Sequence, residues 1–286
     1  MMTDNRFFNL MIISDIDGTF LGAKKELVER NLTAIERFKA QGGLFTFSSG
    51  RASSNIFGAI PTVAQIANAP LSLANGACLY DAEKRRSLKD FFMEPESSLK
   101  IAKYLRTTYP QVGVRASDPR GFVFEPDDAV SFENVGHLGP SRIELLPMSE
   151  WRSDAWYKMV IVGDPGLLEE IRDDCVARFG EDRIAYEKSE PHLLEIHRKD
   201  RNKAAMLDTY RELYAAEGRE LVFCGVGDFE NDRELLEAAD IALCPDNATD
   251  GIKSICDACL CHHSLGVVAD TVEYLERNYL DIWAKR

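Results

Sequence analysis

The first eighty residues alternate short apolar runs with longer segments in which apolar positions recur at helical spacing. Leu10 to Ser14 (LMIIS) is compact and ends at Asp-Ile-Asp-Gly-Thr, which predicts a strand buried on both faces. Val28, Leu32, Ile35 and Phe38 then recur at helical intervals before Gly42 and Gly43, so a helix closed by glycine is expected. Leu44 to Ser48 (LFTFS) and Leu71 to Ala74 (LSLA) predict further buried strands. The last third repeats the habit, with strands expected at Leu221 to Gly225, Ile241 to Cys244 and Ala258 to Cys261, and helices at Lys203 to Ala216, Asp232 to Ala239 and Thr271 to Trp283. Strands separated by helices call for right-handed crossovers, so the two ends of the chain predict halves of one open, Rossmann-like parallel sheet in an α/β fold.

The middle has another texture. An amphipathic segment ends at Pro110, Gly121 to Glu125 alternates as a strand, and a polar stretch carries Pro126, Gly136, Gly139 and Pro140. Tyr157 to Val162 reads as a strand leading into a helix with Leu167, Ile171, Cys175 and Phe179, and Arg183 to Lys188 and Leu193 to His197 read as a strand pair around Pro191. This is α+β material of roughly 100 residues, a common domain size. The expected organisation is a core of residues 1–81 and 189–286 with an inserted domain at 82–188.

Composition removes several function classes. The 286 residues carry 34 Lys and Arg against 47 Asp and Glu, a formal net charge of −13, which argues against a polyanion such as nucleic acid as the main partner. No apolar run approaches the roughly 20 residues needed to span a bilayer, so no membrane partner is expected. The N-terminal MMTDNRFFNLMIISD reads as a short tail entering a strand, with no cleavage site for a signal peptide. Of seven cysteines five follow residue 220, without framework spacing, which fits reduced thiols and a cytoplasmic location. A monomer or weak homodimer is expected.

Four strings place candidate chemistry where apolar strands end. Asp15-Ile16-Asp17-Gly18-Thr19 sets two carboxylates two residues apart beside a glycine that lets the backbone turn. Gly227-Asp228-Phe229-Glu230-Asn231-Asp232 adds Asp228 and Asp232 at the same sheet edge, and carboxylates gathered so closely repel unless protons or a cation neutralise them. Mg2+ with its preference for oxygen ligands suits such a cluster. Ser48-Ser49-Gly50-Arg51 supplies a hydroxyl and backbone amides for an anion, and Lys203 stands at a helix start, where the helix dipole disfavours a cation unless an anion is near. Each string by itself also reads as a turn, a helix cap or a solvated lysine.

Together, in this order, the four strings resemble the motifs of the haloacid dehalogenase superfamily of phosphohydrolases, in its Cof-like, class IIB branch. LANGACLYD and CPDNATDGIKSICD extend the resemblance over both core segments. It implies Asp15 as nucleophile forming an aspartyl phosphate, and Asp17 as general acid and then base. It further implies Mg2+ held by Asp15, the Asp17 carbonyl and Asp228 with Asp232 in support, and Ser49, Gly50, Lys203 and Asn231 around the phosphoryl oxygens. The insertion stands where the family carries an α/β cap. The implied activity is hydrolysis of a small phosphorylated metabolite, foremost a sugar phosphate, with flavin or pyridoxal phosphates also open. Phosphomutase chemistry, as in the phosphomannomutases, is the alternative. Three positions depart from the family pattern: Ser49 where Thr is commoner, Phe20 where Leu is usual, and Ser264-Leu265-Gly266-Val267 without an acidic residue.

Arg51 and Asn75, at core strand ends, are candidate substrate neighbours. Arg115, Asp118, Arg120 and His192 are further candidates for which solvated surface is the expected state. Cys256, Cys259, Cys261, His262 and His263 pack three thiols and two imidazoles into eight residues, which leaves open a zinc-binding protein without catalysis. The cysteines' place in a short apolar strand favours a packing role instead.

Overall fold

The structure is a computed structural model that describes residues 5–284, with side chains to residue 278. Two compact units divide the chain. The first takes the described residues up to Gly50, Ala59–Leu88 and those from Asn202 onward, and the second takes Arg51–Gly58 and Lys89–Arg201.

In the first unit the chain opens with β1 (Leu10–Ser14), every residue of which is buried. The helix Glu29–Ala40 buries Asn31, Ala34, Ile35 and Phe38 and leads back to β2 (Leu44–Phe47), also wholly buried and parallel to β1. Phe20, the departure from the family pattern, is fully buried with its ring 4.7 Å from that of Phe47 and 6.2 Å from that of Phe45. Such burial is worth about 1.5–3 kcal/mol, which accounts for an aromatic at this position. β3 (Leu71–Leu73) corrects the expectation of a simple parallel strand. It touches the parallel sheet through one bridge, Ser48 to Ser72, and otherwise pairs antiparallel with β4 (Cys78–Asp81) in a three-stranded sheet whose third strand is β5 (Arg86–Asp90). The cause is local: Ala74, Asn75 and Gly76 all have positive φ, which reverses the chain at once.

The second unit is built on a six-stranded sheet of β6 (Gly113–Ser117), β7 (Phe122–Phe124), β8 (Ile143–Leu145), β9 (Lys158–Val162), β10 (Ile184–Glu190) and β11 (Leu193–Arg198), in the order β10-β11-β9-β6-β7-β8. The helices Pro95–Thr108 and Pro165–Phe179 start at side-chain caps from Glu94 and Asp164. They bury Ile101, Leu105, Leu168 and Ile171 with Val114, Met159, Ile161, Leu194 and Ile196 of the sheet. Because strand side chains alternate, Arg115, Lys158, Glu195 and His197 fall on the opposite sheet face, and all four are nonetheless buried.

Two expectations are corrected here. The boundary at 188/189 falls inside β10, and β11 pairs with both β10 and β9, so the unit continues to Arg201 while the first unit runs on past residue 81 to Leu88. A strand laddered on both sides cannot leave its sheet. Arg115 and Asp118, expected in solvent, are only 3% and 5% exposed. Asp118 accepts hydrogen bonds from the amides of Arg120 and Gly121. Arg120 remains exposed and paired to Asp118, and His192 is exposed in the turn between β10 and β11.

The chain then returns to the first unit for β12 (Val222–Val226), β13 (Ile241–Pro245) and β14 (Ala258–Leu260), giving an all-parallel sheet in the order β14-β13-β12-β1-β2. From β1 the chain first builds toward β2 and later away through β12. The gap beyond the carboxyl ends of β1 and β12 is therefore a topological switch point, where open α/β sheets bind their ligands.

Candidate active site

Asp15 follows β1 and Asp228 follows β12 at that switch point, because Ser14 and Val226 are register partners and the Asp15 amide donates to the Val226 carbonyl. Gly18, with φ +81°, folds the Asp15–Phe20 segment back so tightly that a β-carbon there would lie 2.4 Å from Asp228 Oδ2. Thr19 donates from Oγ1 to Asp228 Oδ1 at 2.7 Å. One oxygen from each of Asp15, Asp228 and Asp232 lies within 4.8 Å of the others. Among the described residues this is the group whose spacing suits a metal ion.

Lys203 enters from the other side. Asn202 caps its turn by accepting from the amides of Ala204 and Ala205, and Gly76, also at positive φ, leaves the Asn202 carbonyl room where a β-carbon would sit 2.1 Å away. The Lys203 ammonium is 1% exposed and donates to Asp15 Oδ1 at 2.6 Å and to Asp232 Oδ1. Asp232 has no exposure, and its second oxygen accepts from the amides of Asp228 and Phe229 at 3.0 and 3.2 Å. It braces the turn that carries Asp228.

One ammonium thus faces three carboxylates. Burial raises Asp15 to about 8, with Asp232 and Asp228 pushing the same way and Lys203 opposing. Burial likewise raises Asp228 to about 6, against the hydrogen bond from Thr19. For Lys203 burial works against the charge, but Asp15 and Asp232 outweigh it and hold the ammonium above its ordinary value. The oxygen-only donor set and the surplus of negative charge fit a hard divalent cation.

The remaining expected residues divide. Ser49 is buried, its amide donating to the Ser72 carbonyl and its own carbonyl accepting from the Asn75 amide, so Ser49, Gly50 and Asn75 stand together. Asn75 has φ +52°. Asp17 is 44% exposed on its side chain, with Lys25 at 3.8 Å, and Asn231 is half-buried in the turn Glu230–Asp232. Arg51 belongs to the second unit. The zinc reading of Cys256 to His263 finds no support. His263 Nδ1 lies 2.6 Å from the Leu21 carbonyl, His262 Nδ1 accepts from the Ser264 amide, and the thiol and imidazole atoms do not converge among the described residues.

Three participants escaped sequence reasoning. Thr19 is one, although its hydroxyl beside Asp17 was visible. Another is Asn247, whose Nδ2 donates to the Gly18 carbonyl at 2.9 Å while Oδ1 accepts from the His263 amide. Thr249 adds an amide donated to the Asp228 carbonyl. Both lie in the CPDNATD string, where no spacing rule announced them.

Comparison with known proteins gives the family. The haloacid dehalogenase-like hydrolase profile matches residues 12–272. The 5-amino-6-(5-phospho-D-ribitylamino)uracil phosphatase YwtE of Bacillus subtilis is 23% identical over 269 residues, covering 85% of this chain and 89% of its own. A haloacid dehalogenase-like hydrolase from Bacteroides thetaiotaomicron superposes with a TM-score of 0.78 at 22% identity, covering 93% of this chain and 98% of its own. TM0651 from Thermotoga maritima gives a TM-score of 0.74 at 23% identity, with coverages of 92% and 96%.

Proposed function

This chain belongs to the haloacid dehalogenase-like hydrolases, and from that premise we propose that it is a Mg2+-dependent phosphatase of a small phosphorylated metabolite. The observation that carries the reading is Lys203, buried between Asp15 and Asp232 with Asp228 alongside. A buried cation among clustered acids is arranged for a ligand whose charge changes during reaction.

In this reading an oxygen of Asp15 attacks phosphorus in line, the bond to the ester oxygen breaks, and an aspartyl phosphate forms. Asp17 gives its proton to the departing alkoxide and then takes one from the water that hydrolyses the intermediate. Its greater exposure suits a group that must exchange protons in both directions. Ser49, the Gly50 amide, Lys203 and Asn231 hold the phosphoryl oxygens. Asp15, Asp228 and the Asp17 carbonyl would hold Mg2+, with Asp232 fixing Asp228 from behind. Bound there, the ion would neutralise the carboxylates and the phosphoryl oxygens.

A sugar phosphate is the proposed substrate class, supported by the phosphorylated ribityl group in the name of the B. subtilis relative. Asn75, beside Ser49, and Arg51 are the proposed substrate neighbours. The reading carries with it a cytoplasmic location and a monomer or weak homodimer. Among the described residues, no helix is long and apolar enough to cross a membrane. The test is a screen of phosphorylated metabolites for release of inorganic phosphate with and without Mg2+. Mg2+-dependent release from a sugar monophosphate is expected. Phosphoryl return to a second sugar hydroxyl without release would replace the hydrolase reading by a mutase.

A further inference from the structure

At the far edge of the parallel sheet one cysteine stands between two others. Cys244 on β13 is buried and is the register partner of Cys259 on β14, whose residue is exposed. Cys256, half-buried just before β14, packs against the small cluster of Leu236, Ala242, Cys244, Ala248 and Ile252. The Cys244 thiol interacts with those of both Cys256 and Cys259.

Neighbouring strands run about 4.8 Å apart, so register partners on β13 and β14 have α-carbons within the roughly 4.4–6.8 Å that a disulfide spans. Parallel partners also project their side chains to the same face. The position of Cys256 is not set by the ladder. We infer that Cys244, Cys256 and Cys259 form a peroxide-oxidisable site that closes to a Cys244–Cys259 disulfide.

The hydrogen bond from Cys244 holds the Cys256 thiol below its ordinary range, whereas burial raises Cys259. Cys256 is the first nucleophile, since it is half-buried, within reach of solvent, and packs against the cluster that holds the buried Cys244, and the thiolate is the reactive form. Its sulfur attacks one oxygen of hydrogen peroxide, the O–O bond breaks, and a sulfenic acid and one water result. The Cys244 sulfur displaces the sulfenic hydroxyl as a second water, forming Cys244–Cys256. Cys259 then attacks the Cys244 sulfur and expels Cys256, which is the better leaving group because its thiol is the more acidic. Two thiols are oxidised by two electrons, one peroxide becomes two waters, and Cys256 ends as a free thiol.

The test uses the full-length protein and reads mass, not turnover, so it stands apart from the phosphatase reading. After treatment with hydrogen peroxide, alkylation under denaturing conditions should count two fewer free thiols, and peptide mapping should find Cys244 joined to Cys259, reversed by dithiothreitol. Cys259→Ser, a change at an exposed position, should arrest the protein as Cys244–Cys256. Cys256→Ser should slow disulfide formation at least tenfold. A wild-type end product joining Cys244 to Cys256, joining any other pair, or carrying sulfinic acid without loss of two thiols would overturn the inference.

Discussion

Each unit buries one lysine against carboxylate, and the two sites differ in their charge balance. In the second unit Lys158 donates to both oxygens of Glu195 at 2.7 Å, and the buried Arg115 on the same sheet face adds a second cation that acts on Glu195. In the first, Lys203 serves Asp15 and Asp232 with Asp228 close by. The pKa directions follow the count. Burial pushes Glu195 up, but Lys158 outweighs it and leaves the carboxylate below its usual range, whereas Asp15 stays far above. A buried carboxylate site matched by its cations is complete by itself and holds a sheet face together. An unbalanced one is complete only with a further cation, and so marks the place where a ligand belongs.

The contrast breaks most sharply at the proposed nucleophile. Asp15→Asn should reduce turnover on the order of 10³-fold or more, because an amide is a poor nucleophile. Its unfolding free energy should fall by less than about 1 kcal/mol, since one carboxylate fewer relieves the crowding and Lys203 keeps Asp232. Urea titration beside steady-state kinetics checks both halves; retained turnover removes Asp15 as nucleophile.

Glu195→Gln should do the reverse for stability. It strands the Lys158 charge on a buried sheet face and should cost about 3–5 kcal/mol in urea unfolding at pH 7. The pH dependence has a definite sign. A carboxylate depressed on folding contributes above its unfolded value of 4.5 and loses that contribution as pH falls through the lower folded value. The gap between wild type and Glu195→Gln should therefore narrow below pH 4.5. A gap constant across that range would mean that the pair is not what the variant removes.

The smallest effect is thermodynamic binding. Mg2+ at about 100 times its Kd should stabilise the wild type by about 2.7 kcal/mol in calorimetry. Asp228→Asn should abolish most of that increment, while Glu195→Gln should retain it. An equal increment in both variants would place the ion elsewhere.

How much of this was legible depended on burial pattern. Leu10–Ser14 and Val222–Val226 stood out because strands covered on both faces have no polar alternate. The carboxylates followed, since they occupy the strand ends. Gly113–Ser117 was missed because Arg115 and Ser117 interrupt the apolar signal, although tertiary packing buries both. The end of the inserted unit was misplaced because a hairpin around Pro191 carries no mark of the sheet it joins. Thr19 and Asn247 act through contacts made across 209 and 229 residues, which no local pattern encodes.

The spacing of the active-site residues also fixes an order in time. The ribosome makes Asp15 188 residues before the lysine that pairs with it, and the whole six-stranded unit is synthesised in between. Domains fold as units during synthesis. A growing chain that already carries the proposed nucleophile therefore has neither Lys203 nor Asp228, and under the proposed mechanism the nascent protein stays catalytically silent until both emerge.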